Sequence, residues 1–135
     1  MRKSRANAIY CFSITLSISR FCGPPGKGDV RMSEVMDRIR AISERLKEEY
    51  NAESVILYGS YARGEATEDS DVDLFIIAPT KERFFERMAT VLRLTRDLHN
   101  KLPLQPIVLT NEEVEQRLQR GDQFVKQIIE EGLHL

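Results

Sequence analysis

The sequence predicts an α+β domain, a small mixed three-stranded sheet flanked by helices in the order α-β-β-α-β-α-α. Three observations lead there. Residues 32–135 alternate between stretches of helical periodicity and short apolar, β-branched runs. Only three of those runs read as strands: Ser54 to Tyr58, Asp71 to Ile77 and Leu104 to Leu109. The length of 135 residues, with 41% hydrophobic and 30% charged side chains, suits one small folded domain with one modest core.

Each element has its own justification. Ser33 is placed to cap a first helix with apolar positions Val35, Ile39, Ile42, Leu46 and Tyr50, and Asn51 ends it. Gly59 breaks the first strand. After the second strand, Ala78-Pro79-Thr80 is expected to cap a long helix reaching about Leu98, with Phe84, Phe85, Met88, Val91, Leu92, Thr95 and Leu98 as its buried face. Pro106 pushes the third strand towards an edge or a strand end, since proline cannot donate to a ladder. Thr110 and Glu113 fit a capping box, opening a helix that buries Val114 and Leu118 and stops at Gly121. Asp122 can cap a last helix using Phe124, Val125, Ile128 and Ile129, and His134 reads as a frayed end.

Residues 1–31 are a different text. They hold six of the twenty Lys/Arg and one of the twenty-one Asp/Glu, so residues 32–135 carry an acidic excess of six. Such a body argues against a nucleic-acid surface, which needs clustered Lys/Arg. Ser13, Thr15 and Ser17 dilute the apolar stretch that a secretory leader would need. The Gly23 to Gly28 stretch is no phosphate loop, because Asp29 stands where the lysine must be. The segment reads as a disordered or non-native extension, with Met32 or Met36 as the start of the protein proper. Residues 32–135 are then the working domain, with both cysteines (Cys11 and Cys22) outside it and no disulfide to require export. No apolar run approaches membrane-spanning length, and a cytoplasmic protein is expected.

The chemistry is concentrated between residues 59 and 73. A strand ends in Gly59-Ser60, ten residues pass, and Asp71 and Asp73 open the next strand. Side chains two apart on a strand share a face, so the two carboxylates point the same way and repel unless a cation sits between them. Mg²⁺ takes one or two carboxylates and fills its remaining sites with water and substrate phosphates. Gly59, lacking a Cβ, lets backbone N–H groups approach a phosphate. Ser60 adds a hydroxyl at the start of a short helical turn, and Arg63 follows one turn on.

This G-S-x-A-R-G…S-D-x-D-L pattern resembles the nucleotidyltransferase superfamily of DNA polymerase beta, and more closely the minimal nucleotidyltransferases, which are little more than this domain. The resemblance implies the polymerase beta-like fold, with Gly59, Ser60 and Arg63 as nucleotide-binding residues. It also implies Asp71 and Asp73 as catalytic residues and ligands of Mg²⁺. The reaction would transfer a nucleoside monophosphate, AMP from ATP, to a hydroxyl. For so small a chain the resemblance further implies a protein acceptor, a HEPN-type toxin encoded by a neighbouring gene, and hence an antitoxin.

The family usually carries a third carboxylate on the strand after the long helix. Here that strand is Leu104-Gln105-Pro106-Ile107-Val108-Leu109, and Gln105 occupies the position. An amide is a weaker ligand for a hard cation and no base. Either Glu68 or Asp69 completes the site, or the chain is a catalytically weak or inactive binding module that neutralises its partner by stoichiometric contact.

Overall fold

The computed structural model describes residues 27–135, with side chains from Arg31 onward, so residues 1–26 of the expected extension lie outside the described residues. Helix α1 (Lys27–Glu49) already runs through Ser33, which corrects the expectation that Ser33 caps it. No proline lies between Lys27 and Ser33, so nothing in the backbone obliges the helix to begin there. Asn51 adopts a left-handed φ of 54°, and the Ala52 N–H turns back to the Leu46 carbonyl at 3.1 Å. Asparagine tolerates that conformation better than most residues, and the helix ends where expected.

Strands β1 (Ser54–Tyr58), β2 (Val72–Ile77) and β3 (Leu104–Leu109) form as the sequence indicated, except that Asp71 lies just before β2. A fourth strand, β4 (Leu133–His134), was not anticipated, so the sheet has four strands in the order β3-β2-β1-β4. His134 is therefore paired opposite Ile56 and is not frayed. The signal for β4 was Gly132. A Cβ there would stand 2.4 Å from both the Ile128 carbonyl oxygen and an Ile56 methyl, so only glycine lets the chain leave the last helix this close to β1. Strand β1 pairs antiparallel with β2 and β4, while β2 and β3 are parallel. A parallel pair needs a long crossover. It is supplied by α3 (Phe84–Leu94) and the short α4 (Arg96–His99). Pro106 does lie on an edge strand.

That crossover departs from expectation in two ways. Thr80 does not cap the helix. Its Oγ1 accepts from the Glu82 N–H at 3.2 Å, a local turn, and α3 begins only at Phe84. The helix is also rotated: Arg87, Val91 and Thr95 face inward, whereas Phe84 is 40% and Phe85 81% exposed, the two rings packing edge to face at 5.6 Å. The rotation follows from Arg87. Its guanidinium is bidentate to Glu113 (2.7 and 3.2 Å) and also donates to the Glu82 and Val108 carbonyls, so a buried charge is almost fully bonded. An apolarity count cannot see this. Thr95 breaks the long helix, its hydroxyl donating to the Val91 carbonyl at 2.8 Å.

Helix α5 (Asn111–Gln119) carries the Thr110–Glu113 capping box, and Asp122 caps α6 (Gln123–Glu131) by accepting from the Phe124 and Val125 N–H groups. Leu118 and Phe124 remain 40% and 49% exposed, contrary to the expectation that both are core. The sheet is covered on both faces. Ile39, Ile42, Leu46 and Val91 pack on Val55, Leu57, Leu74, Ile76 and Val108. On the other face Val114, Val125 and Ile128 pack on Ile56, Phe75 and Leu109. Strand alternation therefore assigns Tyr58, Asp73 and Gln105 to the α5–α6 side.

Candidate active site

The site forms where β1 gives out. Beyond Tyr58 the chain turns at Gly59 (φ 76°, ψ −152°), a conformation essentially reserved for glycine, and enters the four-residue helix α2 (Ser60–Arg63). Gly64, left-handed at φ 72°, closes that turn, with its N–H reaching the Tyr61 carbonyl. Tyr61 is buried and anchors α2 against the core. The expected short turn after Gly59 is thus present, opening with the unpaired N–H groups of a helix start.

Gly59 does more than turn. A Cβ on it would lie 2.4 Å from Asp73 Oδ2 and 3.3 Å from Asp73 Cγ. The missing side chain is what lets the Asp73 carboxylate lie against the Gly59 backbone. The Gly-Ser turn and the D-x-D pair, ten residues apart in sequence, meet at this contact.

Asp73 sits opposite Tyr58 on β1 and beside Gln105 on β3, so the three residues form a row across the end of the sheet. Burial first, and the neighbouring Asp71 charge second, raise the Asp73 carboxyl above its ordinary value, with Arg63 partly opposing. Two carboxylates that repel each other in this way favour a nearby cation. The Tyr58 phenol, half-buried and facing the Asp73 charge, is pushed up to about 12 and stays neutral. Arg63 is exposed, and its Nε donates to Glu65 at 3.0 Å.

Gln105 is paired in register with Asp73, the place where a third carboxylate would complete the row. Among the described residues no group of three or more Asp, Glu, His or Cys comes together, so neither Glu68 nor Asp69 joins the pair. Glu68 instead meets Arg31 of α1. The donor set of Asp71 and Asp73 suits one hard divalent cation held by two carboxylates, and falls short of a site with three.

Beside Gly59 a cleft of about 280 Å³ opens between the end of β1 and α6, lined by Tyr58, Arg63, Phe124, Gln127 and Glu131 among others. Phe124 packs edge to face on Tyr58 at 5.8 Å. Sequence reasoning missed Tyr58 and took Phe124 for core. The position of Tyr58, directly before Gly-Ser, was the signal available.

A glycine turn set against an aspartate at the end of a mixed sheet suits a nucleotidyltransferase, and the family model for the nucleotidyltransferase domain matches residues 39–134. The chain belongs to that family and is a transferase. A Methanocaldococcus jannaschii protein named as an inferred protein adenylyltransferase is 32% identical over 102 residues, 76% of this chain and 94% of that one. A second from the same organism is 37% identical over 76 residues, 52% of this chain and 88% of its own length. The protein adenylyltransferase MntA of Thermococcus cleftensis is 38% identical over 45 residues, a third of this chain and 46% of that one. Among solved structures, an inferred nucleotidyltransferase from Sulfolobus solfataricus aligns with a TM-score of 0.43 at 26% identity, covering 70% of this chain and 85% of that one. Among the described residues no helix is long and apolar enough to cross a membrane.

Proposed function

We propose that the chain transfers AMP from ATP to a hydroxyl of another protein, with Asp71 and Asp73 as the catalytic pair. One observation carries the reading: Gly59, at the head of the proposed phosphate-binding turn, lies against Asp73, one of the two carboxylates proposed to hold the cation. The names of the relatives support adenylyl transfer to a protein. Mg²⁺ is the cation proposed, held by Asp71 and Asp73. When bound it supplies charge neutralisation to the triphosphate, where positioning and electrostatics do most of the catalysis.

The remaining roles fall to the chain itself. The Gly59-Ser60 turn and Arg63 hold the β- and γ-phosphates and so orient the leaving group. The acceptor oxygen bonds to the α-phosphorus, the bond to the bridging oxygen breaks, and pyrophosphate leaves. Because Gln105 is no base, the hydroxyl proton passes to solvent. The proposed acceptor is a HEPN-type toxin encoded beside this protein, which makes the chain a cytoplasmic antitoxin.

The experiment is the intact mass of that neighbouring protein after incubation with this chain, ATP and Mg²⁺, beside an Asp71→Asn/Asp73→Asn control. A gain of one or more AMP units, absent from the control, is the expected result. No gain with a tight complex still formed would favour the second reading, which the acid-free position of Gln105 supports: a nucleotidyltransferase-fold module that neutralises its partner by contact alone.

A further inference from the structure

We infer that the cleft between β1 and α6 is the nucleoside subsite of the donor, with Phe124 as its stacking platform. The inference rests on the proposed transfer from a nucleoside triphosphate and assigns the part of the donor that the Gly59 turn and the carboxylate pair leave unplaced.

Four observations lead to it. The cleft shares Gly59 and Arg63 with the phosphate-binding turn, so a ligand spanning both is continuous. At about 280 Å³ it is large enough for a nucleoside. Its aromatic wall is ready-made. Phe124 is held at the start of α6 by the Asp122 cap, rests on Tyr58, and is still 49% exposed although it belongs to neither side of the core. Its polar wall is an acceptor wall. Gln127 donates its amide to Glu131 at 3.0 Å, which leaves its own oxygen and the Glu131 carboxylate to accept from the amino and hydroxyl groups of a nucleoside. The same carboxylate repels phosphate, so the neutral end of the donor belongs there and the charged end on the Arg63 side.

In-line geometry excludes the acceptor from this cleft. The attacking oxygen approaches the α-phosphorus from the side opposite the departing pyrophosphate. With pyrophosphate held at Gly59 and Ser60, the acceptor arrives from the Gln105 end of the row, at β3 and on the same face of the sheet.

The test compares ATP with inorganic tripolyphosphate by isothermal titration calorimetry, each with Mg²⁺, on the full chain and on Phe124→Ala and Phe124→Trp. Phe124→Ala is expected to weaken ATP by roughly tenfold, the scale of one lost base–aromatic stack, while tripolyphosphate affinity stays unchanged. Phe124→Trp should restore ATP binding. Unchanged ATP affinity in Phe124→Ala, or an equal loss for both ligands, would overturn the assignment. So would a wild-type chain that binds the two ligands equally, although the phosphate-binding role of Gly59 and Ser60 would survive that result. A wild-type chain that binds neither ligand would refute the proposed transfer itself, and the subsite with it.

Discussion

Replacing Gly59 by alanine puts a methyl carbon 2.4 Å from Asp73 Oδ2, closer than any real contact of that kind. Two costs follow, and they can be separated. The backbone at φ 76°, ψ −152° is strained for any residue with a side chain, at about 1–3 kcal/mol. The Asp73 carboxylate must also withdraw by about 1 Å to reach ordinary van der Waals distance, and a displacement of that size in a reacting site costs on the order of 10²-fold. Gly64 supplies the control. It too has a left-handed φ, of 72°, but a Cβ there meets nothing within 4 Å. Gly64→Ala should lower stability by about 1–2 kcal/mol and leave Mg·ATP affinity intact. Gly59→Ala should show a comparable loss in melting temperature together with a large loss of Mg·ATP binding by calorimetry. If both variants bind Mg·ATP as the wild type does, the contact between turn and carboxylate is incidental, and the argument that joins the two halves of the site is wrong.

Three further predictions concern the same residues and their support. Gln105→Asp supplies the missing acid beside Asp73, and should raise AMP transfer by about tenfold or more; a folded variant with no gain would show that the position takes no part in the chemistry. Asp73→Asn should abolish Mg·ATP binding yet raise the melting temperature at pH 7. The Asp73 carboxyl is raised in the fold, chiefly by burial, so the charged form weighs against the folded state at neutral pH. That gain should fade as pH falls through the raised value and vanish below 3.8, where folded and unfolded chains are both protonated, and a gain constant with pH would contradict this cause. Glu113 shows the opposite linkage, because Arg87 holds its carboxyl below 4.5. Its contribution is present above pH 4.5 and lost as pH falls through the lowered value, so Glu113→Gln should cost about 1–3 kcal/mol at pH 7 and flatten the acid limb of the stability curve; an unaltered limb would assign the acid sensitivity elsewhere.

What could be read in advance depended on whether the cause was local. The strand Ser54 to Tyr58, the Thr110–Glu113 box, the Asp122 cap and the edge position of Pro106 each follow from a few adjacent residues, and each is present. The orientation of α3 is not local. It is set by Arg87 bonding to Glu113, twenty-six residues away, which turns the Phe84 and Phe85 rings outward. Strand β4 escaped for a similar reason, since two residues gain a strand's identity only by pairing with β1. In the 59–73 stretch, the turn at Gly59 and the start of β2 were legible because both causes act within fifteen residues. Phe124 could not be assigned that way: its spacing is that of a core residue, and only the distance to Tyr58 places it at the mouth of a cleft.

The asymmetry of the row across the sheet bears on how such a small chain could act on another protein. From β1 to β3 it reads Tyr58, Asp73, Gln105. On the β1 side a glycine turn, an arginine and an aromatic cleft stand together, all from residues of this chain. On the β3 side the row ends in a neutral, exposed amide on an edge strand, with no strand beyond it among the described residues. A chain that held both substrates would need walls on both sides of the α-phosphorus, because the two reactants must meet in line. On the proposed transfer, the described residues wall the donor side and leave the acceptor side open. That proposal predicts acceptor positioning by the surface of the acceptor itself, docked along β3. A short hydroxyl peptide, having no such surface, should be a far poorer acceptor than the folded protein that carries it. Equal rates on the two would place the acceptor site within this chain after all.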